Sequence, residues 1–267
     1  MKILKPAVNL EDFFTDLRKS FFLLMLDYDG TLAPFTAERM KAFPYQGIHK
    51  RLQELMHYQQ LRLVIVSGRS LSDLRKVLKM YPEPELWGSH GLERKLANGE
   101  LFNVEMDEKA RQGLELARQA CLSLADSRQC EIKPYGIAFH WRGLDDSSKK
   151  QMELPIRKEW QKTAPEYGLE IHDFDGGIEL RLKGINKGHV VDTILKEVPF
   201  DTKIAYLGDD ATDEEAFTAL NHRGLKVLVR DVLRPTLADI QLIPPDELLW
   251  FLDRIIAIYK EGRNSNG

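Results

Sequence analysis

Four small polar clusters in this chain each follow an apolar run or open a helical one. They are Asp27-Tyr28-Asp29-Gly30-Thr31, Ser67-Gly68-Arg69, Lys187 within Asn186-Lys-Gly188, and Gly208-Asp209-Asp210 with Asp213 close behind. Two carboxylates about 4 Å apart repel by about 4 kcal/mol at an effective dielectric of 20, so a convergence of Asp27, Asp29 and Asp209 calls for a cation. Hard, all-oxygen donors select Mg²⁺, which keeps several waters and shares its other positions between carboxylates and a substrate phosphate. Asp27, at a strand end, can then attack phosphorus and form an aspartyl-phosphate. Asp29, two residues on and at a turn that Gly30 permits, can protonate the departing oxygen and later take a proton from water. Ser67, Lys187 and the backbone N–H groups near Asp29 and Gly30 are placed to hold the phosphoryl oxygens.

Taken singly, these residues have plainer uses. An aspartate after a strand is often a turn former or a helix cap, Ser67 and Arg69 suit capping and solvation, and Asp210 and Asp213 suit a helix N-terminus. The ordered set, each member at a strand end or helix start, favours the catalytic reading, because context is what confirms a short motif.

The elements that must carry these residues are legible in the apolar pattern. Phe21–Leu26 and Leu63–Val66 are continuous apolar runs, as strands buried on both faces read, and Ile48, Leu52, Leu55 and Met56 between them recur at helical spacing. Strand, helix, strand implies a right-handed crossover in a parallel sheet. The grammar resumes with a helix over Lys187–Glu197, a strand at Lys203–Leu207, a helix over Glu214–Leu220 and a strand at Leu225–Val229. These stretches predict one doubly wound, Rossmann-like parallel-sheet α/β core, in which ligands bind at the carboxyl ends of the strands.

The middle of the chain reads differently. Asn98-Gly99, Pro134-Tyr-Gly136 and Asp175-Gly-Gly177 are turn signals, and helical patterns cover Glu108–Ala125 and Asp145–Lys162. Helix, two strands, helix, two strands is an α+β order that does not belong inside a parallel sheet. The expectation is an inserted cap domain over residues 96–183, with the core formed by 1–95 and 184–267. Within it Ile137, Phe139 and Trp141 alternate with His140 and Arg142, and Ile178, Leu180 and Leu182 alternate with Glu179 and Arg181. One sheet face should pack on the two helices and leave Glu131, Lys133, His140, Arg142, Glu179 and Arg181 on the other. Mixed carboxylate and ammonium groups suit a polyhydroxylated ligand, although a merely solvated sheet also explains each residue singly.

Composition narrows the classes. With 38 basic and 41 acidic residues the formal charge is −3, and no basic block suits a nucleic-acid backbone. No apolar run approaches the roughly 20 residues that span a bilayer, and Met1–Leu10 lacks a secretion-signal pattern, so a cytoplasmic protein without nucleic-acid or membrane partners is expected. Cys121 and Cys130 are not in a Cys-x-x-Cys arrangement and are expected as free thiols in a reducing compartment; the histidines show no zinc spacing. The tail Gly262–Gly267 reads as disordered.

Asp27-Tyr-Asp-Gly-Thr-Leu32, Ser67, Lys187 and Gly208-Asp-Asp-x-x-Asp213 match, in order, the four motifs of the haloacid dehalogenase superfamily, which the chain resembles. The resemblance implies Mg²⁺ held by Asp27, the backbone carbonyl of Asp29 and a motif-four aspartate among Asp209, Asp210 and Asp213. Asp27-Tyr-Asp-Gly-Thr-Leu-Ala-Pro34, Ser67-Gly-Arg69, Gly88-Ser-His-Gly91, Asn186-Lys-Gly188 and Gly208–Phe217 look more narrowly like the trehalose 6-phosphate phosphatase family. That likeness implies sugar recognition by a pattern similar to Gly-x-Glu-x-Lys with a later Glu, here Glu131-Ile-Lys133 and Glu179, with Gln129 standing where the glycine is expected. Thr31, Gly68, Arg69, His90, Glu131, Lys133, His140, Glu179 and Arg181 are the candidate substrate contacts. The likeness also implies a sugar phosphate as small-molecule partner and a functional link to a trehalose 6-phosphate synthase; a monomer is expected. Other sugar phosphates such as glucosylglycerol phosphate or sucrose phosphate, mutase chemistry, and a non-catalytic sugar-phosphate-binding subunit stay open as alternatives.

Overall fold

A computed structural model describes residues 1–36, 38–141, 143–174 and 176–264. Arg142 and Asp175, placed above on the polar face and in a turn, lie outside the described residues, as do the last three residues of the tail. The chain falls into two compact units, 1–102 with 186–267, and 103–185. The first runs β1 (Lys2–Ile3), α1 (Leu10–Asp16), β2 (Phe22–Asp27), α2 (Ile48–Leu55), β3 (Leu61–Val66), α3 (Leu71–Leu78), β4 (Glu85–Gly88), β5 (Glu93–Lys95) and β6 (Leu101–Asn103). The second unit holds α4 (Glu108–Leu124), β7 (Cys130–Lys133), β8 (Gly136–His140), α5 (Asp146–Glu166), β9 (Leu169–Phe174) and β10 (Gly177–Leu182). The first then resumes with α6 (Lys187–Leu195), β11 (Lys203–Gly208), α7 (Ala211–Leu220), β12 (Leu225–Val229), β13 (Ile240–Leu242) and α8 (Asp246–Asn264).

Strand β2 shows why the first unit is doubly wound. All six of its residues are buried, and they divide by the two-residue period of a strand. Phe22, Leu24 and Leu26 join a core with α1, α2, α3 and α8, while Leu23 and Met25 join another with α6 and α7. Full burial of each such side chain contributes about 1.5–3 kcal/mol. The sheet order is β1-β13-β12-β11-β2-β3-β4-β5-β6, with β2 in the middle. Pairing is parallel from β13 to β4, and β1 and β5 pair antiparallel at the flanks. From β2 the chain winds one way through β3 and β4, and from β11 it winds the other way through β12 and β13. The gap between the ends of β2 and β11 is therefore the topological switch point, where such sheets leave a crevice.

The second unit is a four-stranded antiparallel sheet, β7-β8-β10-β9, with α4 and α5 on one face. Ile137, Phe139, Ile178 and Leu180 bury against Ala110, Ala117, Ile156 and Trp160 of the helices, as their alternation predicts. Its start differs from the expected residue 96, because Leu96–Phe102 remain with the first unit, where β5 lies beside β4 and β6 follows β5 at the edge of the large sheet. Turn signals at Asn98-Gly99 mark a hairpin equally well in either unit, so the sequence alone cannot assign it.

Two expectations are corrected. Cys121 and Cys130 are disulfide-bonded to each other. The reason is local: α4 ends at Leu124, Asp126 and Gln129 form a reciprocal capping box around a short 3₁₀ turn, and the chain folds back. The turn brings the two Cα atoms to 6.4 Å, within disulfide reach, so cysteine usage gives no support for a reducing compartment. The tail reading is also too broad, since α8 continues to Asn264. Among the described residues no helix is long and apolar enough to cross a membrane.

Candidate active site

The crevice between β2 and β11 collects the acidic residues singled out by the sequence. In parallel register Leu26 lies opposite Leu207, so Asp27 ends β2 one residue on and Asp209 follows directly after β11. Asp27, Asp209 and Asp213 each present a carboxylate oxygen within 4.8 Å of the others, and all three are buried. Glycines make this approach possible. A Cβ at Gly30, whose φ is +84°, would overlap the Asp209 carboxyl, and one at Gly208 would overlap Asp213.

The three carboxylates have different employment. Lys187, the first residue of α6 behind its Asn186 cap, places Nζ 2.6 Å from Asp27 Oδ1 and 2.6 Å from Asp213 Oδ1. Asp213 Oδ1 also accepts from Tyr206 Oη at 2.8 Å, and its Oδ2 accepts the backbone N–H groups of Asp209 and Asp210, each at 3.0 Å. Asp213 is thus committed to holding Lys187 and the motif-four loop. Asp27 Oδ2 and Asp209 Oδ1, by contrast, are buried with no hydrogen-bond partner. Uncompensated buried carboxylate oxygens are costly, and a hard divalent cation is the partner their chemistry fits. Burial pushes Asp27 well above the ordinary carboxylate range, opposed by Lys187 and reinforced by Asp213. Burial, with the Asp27 and Asp213 charges, pushes Asp209 up further. Lys187 would be lowered by burial, but the Asp213 and Asp27 carboxylates hold it above its usual value.

Around this centre, Asp29 is half-exposed and paired with Arg69. It stands in a turn that closes on itself, with Leu32 and Ala33 N–H donating to the Tyr28 carbonyl and Gly30 N–H to that of Ala33. Thr31 is wholly buried, its Oγ1 without a partner. Ser67 is buried at the end of β3, its Oγ accepting from Arg69 N–H at 3.1 Å. Gly68 lies against the His90 ring, where a Cβ would clash, and His90 N–H donates to the Ser67 carbonyl at 3.0 Å. Asp210 caps α7, accepting from Ala211 N–H at 2.7 Å, and its carboxylate is not part of the three-acid group; neither is that of Asp29. Sequence reasoning passed over Tyr206, and over Arg234, whose guanidinium binds the Asp210 carbonyl at 2.7 Å and Glu214 at 2.7 Å. A tyrosine inside the otherwise apolar run of β11 was the available signal for the first.

In the second unit, the polar sheet face is ordered in rows. Glu131, Ala138, Glu179 and His172 are register neighbours across the four strands, and Lys133, Gly136, Arg181 and Glu170 form the next row. Lys133 pairs with Glu179 at 2.9 Å, His140 with Glu131 at 2.9 Å, and Arg181 with Glu170 at 3.3 Å. Glu179 and Arg181 are buried, which a merely solvated face does not explain. Over the small Ala138 and Gly136 of β8, Lys133 of β7 reaches across to Glu179 of β10. His172 and Glu170 belong to this face and were not singled out from the sequence; burial pushes the His172 imidazole down. Gln129 needs no left-handed backbone: its side chain accepts the Asp126 N–H at 3.1 Å, so a capping box makes the turn expected of glycine.

A family profile described as Trehalose-phosphatase matches residues 25–242. The chain belongs to the trehalose-phosphatase family. The match begins inside β2 and ends with β13, so it includes every residue of the three-acid group and the whole second unit. Among relatives, the trehalose-6-phosphate phosphatase of Escherichia coli (strain K12) is 28% identical over 201 residues, covering 74% of this chain and 73% of its own length. The trehalose-phosphate phosphatase of Mycobacterium marinum is 29% identical over 266 residues, covering 93% of this chain and 64% of its own length. The chain therefore spans under two-thirds of the mycobacterial relative. The fold of this family member is similar to the C-terminal domain of the Candida albicans trehalose-6-phosphate phosphatase, with a TM-score of 0.79 at 23% identity, covering 96% of this chain and 99% of that one. It is also similar to a haloalkanoate-superfamily phosphatase of Bacteroides thetaiotaomicron, with a TM-score of 0.61 at 16% identity, covering 95% and 99%.

Proposed function

We propose that this chain hydrolyses trehalose 6-phosphate to trehalose and phosphate, with Asp27 as nucleophile. The observation that carries the reading is the division of labour at Asp27: Lys187 neutralises Oδ1, while Oδ2 is buried and unpaired in a carboxylate that shares the three-acid group with Asp209. Asp27 and Asp209 would hold Mg²⁺ with the Asp29 carbonyl. When bound, the ion neutralises charge on the phosphoryl oxygens and on the acidic cluster.

The chain's own residues then divide the reaction. Asp27 attacks phosphorus and the P–O bond to the sugar breaks, giving an aspartyl-phosphate. Asp29 gives its proton to the leaving sugar oxygen, then removes one from the water that releases phosphate. Lys187, Ser67 and Thr31 hold phosphoryl oxygens, and Asp213 with Tyr206 holds Lys187 in line. In the second unit, Glu131, Lys133 and Glu179 serve as hydroxyl contacts, with His140 and Arg181 beside them. The cytoplasm, a monomer and a functional link to a trehalose 6-phosphate synthase complete the proposal. The last is supported by the match to a Dictyostelium discoideum relative named alpha,alpha-trehalose-phosphate synthase.

The test is phosphate release with Mg²⁺ across trehalose 6-phosphate, sucrose phosphate, glucosylglycerol phosphate and mannose phosphates. Trehalose 6-phosphate should give the highest kcat/KM; a higher value for any other ester refutes the substrate assignment.

A further inference from the structure

Arg69 was a candidate substrate contact, yet its side chain is 1% exposed. Its fork is closed on the Asp29 carboxylate: Nε donates to Asp29 Oδ2 at 2.7 Å and Nη2 to Asp29 Oδ1 at 2.6 Å. Nη2 also donates to the Arg39 carbonyl at 2.7 Å, and the guanidinium stands 5.6 Å from the centroid of the Tyr28 ring. The backbone of Arg69 is pinned as well, its N–H to Ser67 Oγ and its carbonyl by Ser89 N–H at 2.6 Å. A rigid, buried arm therefore meets a carboxylate that burial does not fix, since the Asp29 side chain is 30% exposed.

We infer that Arg69 is a positioning residue that sets the orientation of the Asp29 carboxylate for proton transfer, and is not a substrate ligand. The inference rests on the reading of Asp29 as the general acid and base. Two parallel N–H···O bonds fix the plane of a carboxylate as well as its place, which a single ammonium cannot do. Proton transfer is geometric first, needing heavy atoms within hydrogen-bond reach of the leaving oxygen. An Asp29 free to rotate keeps its chemistry and loses its aim.

The test compares aryl phosphates of differing leaving-group basicity, with Mg²⁺, in single-turnover measurements of phenol release. A poor leaving group needs the acid; a good one does not. Arg69→Lys and Arg69→Gln, both checked for folding by circular dichroism, should slow phenyl phosphate by about 10²-fold, within the range of general acid catalysis, and 2,4-dinitrophenyl phosphate by less than about 3-fold. Asp29→Asn should show the same selectivity, and R69K/D29N should be no slower than D29N. Equal losses across the series, or multiplied losses in the double variant, overturn the inference while leaving the phosphatase reading intact. A parent protein that cleaves neither these esters nor trehalose 6-phosphate overturns both.

Discussion

Lys187 Nζ lies 2.6 Å from Asp27 Oδ1, while Asp27 Oδ2 is buried with no partner. One oxygen is neutralised by the chain itself and the other has no protein partner. This asymmetry is the physical content of the proposed nucleophile.

Asp27→Asn keeps the shape and removes the attacking charge. Trehalose 6-phosphate hydrolysis should fall below detection, whereas Asp29→Asn should retain phosphoryl capture and lose about 10²–10⁴-fold in turnover, as removal of a general acid and base does. Phosphate release by purified variants measures both. Equal turnover in parent and variants refutes the assignment.

The two buried motif-four acids should separate by function. Asp209→Asn should weaken Mg²⁺ binding by more than about 100-fold. Asp213→Asn, which loosens Lys187 and the loop amides, should cost the about 10–100-fold typical of groups that support a metal site, with a fall in kcat that added Mg²⁺ does not restore. Calorimetric titration with Mg²⁺ beside kinetics decides it, and the reverse order makes Asp213 the ligand.

Metal-free protein should lose stability as pH rises. Folding raises the Asp27 and Asp209 carboxyls above their unfolded values, so the folded state holds more protons over the window that opens at about pH 4. Their contribution is complete below that window and is lost as pH climbs toward their folded values, each kcal/mol moving the melting temperature by about 2–4 °C. Mg²⁺ should restore the loss, and more at pH 8 than at pH 5. Thermal melts in chelator and in Mg²⁺ measure this; a metal-free melting temperature that increases from pH 5 to pH 8 contradicts it.

Glu179→Gln should raise KM for trehalose 6-phosphate and reduce kcat/KM by about 10–100-fold, corresponding to the 1.4–2.8 kcal/mol of a lost charged hydrogen bond. Phenyl phosphate, which has no sugar, should be cleaved at nearly the parental rate. Losses of equal size on both substrates would place Glu179 in support of the fold.

Much of this was legible because the chemistry sits where strand grammar ends. The apolar run before Asp27 and the one before Asp209 announced two strands of one sheet, and the sheet order supplied the proximity. What the sequence withheld were pairings between residues far apart in the chain. Asp29 and Arg69 are forty positions apart, and nothing in either segment distinguishes a buried fork from a solvated arginine. Asp213 looked equally suited to a metal or to a helix start until Lys187, Tyr206 and two amides were seen to occupy it. The disulfide escaped because it depends on a capped turn between Cys121 and Cys130, and spacing alone does not reveal that turn.

The most direct test is to mix the protein with trehalose 6-phosphate and Mg²⁺, quench in acid within milliseconds, and locate the phosphoryl group by peptide mass spectrometry. Covalent phosphate on Asp27, accumulating in Asp29→Asn and absent in Asp27→Asn, is the predicted result. Steady hydrolysis by the Asp27→Asn variant, or phosphate carried on any other residue, would contradict the account.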